Sequence, residues 1–152
     1  MHRFPSLPRP RWLLLAAALA ACVPGLAQAG VVVVAHAGVR KLDVTQVQRI
    51  FTGRVVELGG QVLSPVNLPP GHLQRQRFLN EYLHQDEDSY TAYWTVRRYV
   101  GKGVPPRELA SGSEVIGHVM NTPGAIGYVD ESEVPSGANI QVVRSGAASA
   151  PR

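Results

Sequence analysis

Cysteine is all but missing from this chain: Cys22 is the only one in 152 residues. A disulfide within the chain is therefore excluded, whatever the redox state of its compartment, and the core must hold the fold alone. Catalytic signatures are missing too. The sequence has no Gly-x-Ser-x-Gly elbow, no P-loop and no His-Glu-x-x-His motif. His36, His72, His84 and His118 do not have metal-ligand spacing. No two carboxylates are placed for acid–base work, and helix capping accounts for Ser111-Gly112-Ser113 without a nucleophile. These absences point to a protein that is not an enzyme and uses no metal and no cofactor.

Strong charge is lacking as well. The chain carries 15 basic and 11 acidic residues. Three of the basic ones, Arg3, Arg9 and Arg11, lie in the first 29 residues, which contain no acid. The remainder is nearly neutral, which is not the footprint of a nucleic-acid binder. In its middle Arg75, Arg77, Arg97, Arg98, Lys102 and Arg107 are mixed with Glu81, Asp86, Glu87 and Asp88.

Residues 1–29 read as an export signal. The three arginines make a positive start, and Trp12 to Ala21 is an apolar run too short to span a bilayer. Pro24-Gly25 breaks that run, and Ala27-Gln28-Ala29 is a small-residue cleavage site. Cleavage after Ala29 would release a periplasmic product and remove the cysteine. The alternative is a lipid anchor, because Leu19-Ala20-Ala21-Cys22 resembles the bacterial lipobox. Both outcomes place the protein outside the cytoplasm. No later segment is long and apolar enough to cross a membrane.

The rest reads as one α/β domain over 30–144 with a short tail, 145–152, expected to be disordered. Val31 to Ala35 is a β-branched run that fits a buried strand. Asp43 is placed to cap a helix, with Gln46 reaching back, and Val44, Val47, Ile50 and Phe51 follow at helical spacing. Gly53 falls at a left-handed C-cap. Gly59-Gly60 turns into a strand over 62–68. A helix then carries Phe78, Leu79, Tyr82 and Leu83. Another, capped by Ser89, carries Tyr90, Tyr93, Trp94 and Val100. A third follows the capping box of Ser111 and Glu114. Strands are expected at 125–129 and 140–143. Alternating strands and helices predict a mostly parallel sheet flanked by helices. Phe51, Phe78, Trp94 and Ile126, from four elements, are expected in one core.

The turn Pro70-Gly71-His72-Leu73-Gln74-Arg75 joins the second strand to its helix. The first-turn N–H groups of such a helix point outward, where a small anion can sit, and arginines follow at once. Gly71, His72, Gln74 and Arg75 are the candidate ligand residues. The other reading of the same stretch is a plain turn with two solvated arginines, Arg75 and Arg77.

Five stretches in register resemble a known family. They are Arg49-Ile50-Phe51-Thr52-Gly53, Val66-Asn67-Leu68-Pro69, Arg75-Gln76-Arg77-Phe78, Gly101-Lys102-Gly103 and the run from Pro123 through Gly124-Ala125-Ile126-Gly127-Tyr128 to Val129. Together they resemble the phosphate-binding proteins of bacterial ABC uptake systems, and more closely their short, single-lobed relatives. The resemblance implies a reduced lobe of the type II periplasmic binding protein fold. It implies a small oxyanion such as phosphate as ligand and an envelope permease or sensor as partner. At the site the family carries Ser-Gly-Thr-Arg, where this chain has His72-Leu73-Gln74-Arg75. The arginine is kept and both hydroxyls are gone. Two functions follow: a solute-binding-like protein for an oxyanion, or a decayed solute-binding fold serving as a protein-interaction module in the cell envelope.

Overall fold

Val31–His36 forms strand β1, and Val31 to Ala35 are all buried. Helix α1, Val44–Phe51, begins with the capping box read from the sequence. Asp43 accepts from the Gln46 N–H at 2.7 Å, and the Gln46 side chain accepts from the Asp43 N–H at 3.0 Å. The computed structural model describes residues 30–146. The leader, its cleavage site, Cys22 and residues 147–152 lie outside the described residues.

The segment expected as one strand over 62–68 is divided. A small hairpin, β2 (Glu57–Leu58) and β3 (Gln61–Val62), precedes β4, Ser64–Asn67. The division has a hydrogen-bond cause. The Leu63 N–H donates back to Val56 O, while the Ser64 N–H donates to Gly124 O in another part of the chain. Helix α2, Leu73–Phe78, runs on without a break into a π-helical turn, Leu79–Leu83, which ends at His84 in a left-handed conformation. Helix α3 is Glu87–Tyr99, and its cap is Asp86, not Ser89. Asp86 accepts from the Ser89 N–H at 2.8 Å, so the helix starts earlier than expected and Ser89 lies inside its first turn. The short strand β5, Arg107–Glu108, leads to α4, Gly112–Asn121, which Ser111 caps through the Glu114 N–H. The Glu114 carboxylate reaches Ala110 N–H, one residue beyond the cap. Strands β6, Ala125–Asp130, and β7, Ile140–Val143, complete the fold.

The main sheet has the order β5-β4-β6-β1-β7. Strand β4 is parallel to β5 and β6, whereas β1 is antiparallel to both β6 and β7. Four of the five strands therefore run one way, with β1 set against them. Side chains alternate across a strand, so β6 shows which helices cover each face. Gly127 faces α4, where a Cβ would collide with Val115. Tyr128 points to the other face and stacks on Phe78 of α2 with ring centroids 4.0 Å apart. Phe51 of α1 meets Phe78 edge-on at 4.7 Å. Helix α3 joins that layer through Tyr90, whose hydroxyl donates to Phe51 O at 3.0 Å. Phe51, Phe78, Trp94 and Ile126 are all in the core cluster. Ser145, which the sequence reading assigns to the tail, is buried.

The Pro123-Gly124 turn sets the register of β4 against β6. Gly124 has φ +81°, and a Cβ there would collide with the backbone carbonyl of Val62. Gly124→Ala is expected to cost about 2 kcal/mol or more, from the left-handed conformation and the clash together. A thermal melt should show the midpoint falling by several degrees. An unchanged midpoint would mean that β3 and the turn do not meet this closely.

Candidate functional site

The turn after β4 is built as its residues suggest, but its polar groups are used internally. Gly71 takes φ +87°, which brings the chain round into α2. His72 is the N-cap, and its Nδ1 accepts from the Gln74 N–H at 3.2 Å. The imidazole thus occupies one of the first-turn donors on which an anion would depend. The Gln74 side-chain amide donates to Asp130 at 3.2 Å.

Arg75 turns inward and is only 4 % exposed. Its Nε and Nη2 donate to the two carboxylate oxygens of Glu87 at 2.8 and 2.6 Å. Its Nη1 donates to Leu68 O at 2.8 Å and to Glu108 at 3.2 Å. The guanidinium also lies 5.6 Å from the centroid of the Tyr90 ring. Burial works to lower its pKa. The hydrogen bonds and charge of Glu87, aided by Tyr128 and Glu108, outweigh burial and raise it. The picture of two solvated arginines is therefore corrected for Arg75. The first turn of α3 and strand β5 bring carboxylates to it from 12 and 33 residues away. Arg77 stays nearer the surface, with Nη1 3.9 Å from Asp130. His72 thus caps the Gln74 N–H, the Gln74 side chain reaches Asp130 and Arg75 is held by Glu87, Leu68 and Glu108, so these side chains do not converge on one open point.

Beside this cluster lies a cleft of about 210 Å³. Its walls include Asn67, Arg75, Tyr90, Trp94, Arg98 and Glu108. It opens at the carboxyl end of β4, the end of a parallel strand at which α/β folds hold their ligands. Asn67, only 1 % exposed, forms the floor. Its Oδ1 accepts from the Tyr128 hydroxyl and its Nδ2 donates to the Tyr90 hydroxyl, both at 3.3 Å. The Tyr128 hydroxyl in turn accepts from the Leu68 N–H at 3.0 Å. Burial pushes both phenols above their ordinary pKa, so they stay protonated and donate. The Trp94 indole N–H is buried and makes no hydrogen bond of ordinary geometry. The Asn67 side chain is thus held by both phenols, and the exposed Arg98 also lines the cleft. The arrangement can hold a small molecule, and on its wall the Thr91 hydroxyl donates to the Glu87 carboxylate at 3.2 Å.

Of the four aromatic residues along α3, Tyr90 and Trp94 are core, Tyr93 is half-buried and Tyr99 is 92 % exposed. Among the described residues no three His, Cys, Asp or Glu side chains gather as a metal site would require. None of the described helices is long and apolar enough to cross a membrane. Asn67 and Glu108 line the cleft and Glu87 pairs with Arg75, and the sequence reading gives none of the three a role at the site. The acid-rich stretch 85–88 offers a faint signal for Glu87, and nothing local marks Glu108.

No protein-family model matches the chain, and no curated protein matches it in sequence. Its fold is similar to that of a protein from Clostridium perfringens assigned as a phosphate ABC transporter substrate-binding protein and solved with bound phosphate. That likeness has a TM-score of 0.55 at 19 % identity and covers 76 % of this chain and 44 % of the other. An ABC-type phosphate transport receptor from Vibrio cholerae is similar with a TM-score of 0.56 at 16 % identity, over 76 % of this chain and 45 % of that one. At such identities the likeness is one of fold, and this chain spans less than half the length of either receptor. The chain has, at a distance, the fold of the periplasmic solute-binding proteins.

Proposed function

We propose that this protein is an exported, non-enzymatic lobe of the solute-binding kind that serves as a protein-interaction module in the cell envelope. The oxyanion reading of the Gly71 turn is disfavoured by the state of Arg75. A guanidinium with Nε, Nη1 and Nη2 all engaged by two carboxylates and a carbonyl has little left for a solute. The observation that carries the module reading is a second apolar face on α3. Tyr90 and Trp94 face the core, yet Val96, Tyr99 and Val100 recur at helical spacing on the outside, 62, 92 and 53 % exposed. Val104, just beyond the helix, is 65 % exposed. Arg97, Arg98, Lys102 and Arg107 accompany these residues, with no acid between 89 and 107. By charge complementarity the partner presents an apolar strip with acidic side chains around it. A permease or sensor of the envelope is the class of protein that the resemblance implies.

A photo-crosslinking residue at position 99 or 96 should join the protein to one envelope protein in the cell. The same residue at position 120, on α4 across the sheet, should not. Arg98→Glu should weaken the crosslink from position 99. Equal crosslinking from all three positions would overturn the docking face. Saturable changes in the Gly71 to Arg75 amides on adding phosphate would restore the solute reading of that turn.

A further inference from the structure

A second polar groove, of about 400 Å³, lies between the end of α1 and the π-helical turn. It shares no lining residue with the cleft at β4. Arg49, Arg54, His84, Gln48, Gln85 and Thr52 are among its walls, and no carboxylate is. The chain itself brings the two arginines together. After Gly53, at φ +68°, it folds back so that the N–H groups of Arg54 and Val55 both donate to Arg49 O, at 2.8 and 3.1 Å. The opposite wall is tied to α1 by Gln48, whose Nε2 donates to Tyr82 O at 2.7 Å.

The electrostatics of this groove are unlike those around Arg75. Among the described residues the ion pairs involve Arg75, Arg77 and Arg144, and neither Arg49 nor Arg54 has a carboxylate oxygen within 4 Å. Two exposed guanidinium groups therefore share one concave surface without internal compensation, an arrangement that attracts an anion. His84 adds ring nitrogens at the rim. It is the one described residue other than glycine with a positive φ, at 54°. Gln85 supplies the remaining clue: its Oε1 is buried and accepts from no donor. A ligand that satisfies the whole groove thus brings negative charge for the arginines and a hydrogen-bond donor for Gln85.

We propose that the groove walled by Arg49, Arg54, His84 and Gln85 is an anion site for hydrogen phosphate or a phosphate monoester. Hydrogen phosphate, and the singly protonated form of a monoester (second pKa about 6), combine acceptor oxygens with a P–O–H donor, whereas sulfate at neutral pH offers acceptors alone. Arg49 and Arg54 bind the oxygens and Gln85 takes the donor. The site stands whether or not the α3 face docks a protein.

The test is an amide-resolved NMR titration of the purified protein with inorganic phosphate, glycerol phosphate and sulfate at matched ionic strength. Phosphate is expected to give saturable shifts at Arg49, Arg54, His84 and Gln85, with millimolar or tighter affinity. Arg49→Ala and Arg54→Ala should each weaken binding about tenfold. Both side chains are exposed, so these variants should melt as the parent does. Arg107→Ala, on a residue outside the groove, should bind normally. Tighter binding of glycerol phosphate than of inorganic phosphate would assign the site to a monoester, and the reverse to the free anion. Absence of saturable shifts in this groove at about 20 mM phosphate would overturn the proposal. So would an equal loss of binding in Arg107→Ala. Sulfate binding as tightly as phosphate would overturn the assignment to a donor-bearing anion.

Discussion

Phe78→Ala is expected to lower stability by about 3–5 kcal/mol. Phe78 is fully buried where three elements meet. Its ring stacks on Tyr128 at 4.0 Å, lies 5.4 Å from Tyr82 and meets Phe51 edge-on at 4.7 Å. Truncation removes the ring's transfer energy and its aromatic contacts, and it leaves a void lined by side chains fixed by their own hydrogen bonds. Tyr128 is held through Leu68 N–H and Asn67, and Tyr82 donates to Val143 O at 2.9 Å, so neither can collapse into the space freely. A domain of this size has about 5–15 kcal/mol in all. The loss should be read by urea denaturation, with the midpoint shifted and the slope kept. Phe78→Leu, which keeps most of the volume, should recover more than half of it. An unchanged midpoint for Phe78→Ala would show that this helix face does not enter the core.

Arg75→Ala is expected to cost about 2–4 kcal/mol, a large effect for a residue that a solvated reading would leave nearly neutral. The substitution removes the donor to Leu68 O, both bonds to Glu87 and the side-chain contact with Glu108 of β5. The cost stays below that of a wholly buried ion pair, because the Glu87 and Glu108 side chains are 28 and 49 % exposed and can return to water. Arg75→Lys should lose most of the same energy, since an ammonium cannot match a carboxylate with two parallel bonds. A double-mutant cycle with Glu87→Ala isolates the pair, and a coupling above about 1 kcal/mol is expected. Additive losses would mean that Arg75 and Glu87 do not pair in solution. The arginine would then be open to a solute, and the oxyanion reading of the turn would regain its basis.

Much of the fold could be read from short stretches because its causes are local. Asp43 and Gln46 make a reciprocal cap because the two donors of a first turn lie three residues apart. Gly53 takes a left-handed φ because an α-helix ends most easily on a residue without a side chain. Phe51, Phe78, Trp94 and Ile126 share one core because each lies on the apolar stripe of its own element. Where the local reading differs from the structure the cause is also local, as at Asp86, which lies three residues before Ser89 and takes the cap by accepting from the Ser89 N–H.

What could not be read depends on contacts between distant residues. Nothing in Val31 to Ala35 says that β1 runs against its neighbours, since strand direction follows from how the helical connections return the chain to the sheet. Nothing near Arg75 says that Glu87 and Glu108 occupy it, because a guanidinium's partners are chosen by which carboxylates the fold delivers within hydrogen-bond reach. Arg49 and Arg54 look like ordinary surface arginines in the sequence. The fold-back at Gly53 and the facing π-helical turn place them in one groove. Backbone preference acts over a few residues and is written in short patterns, whereas electrostatic pairing acts through space and exists only once the chain has closed on itself.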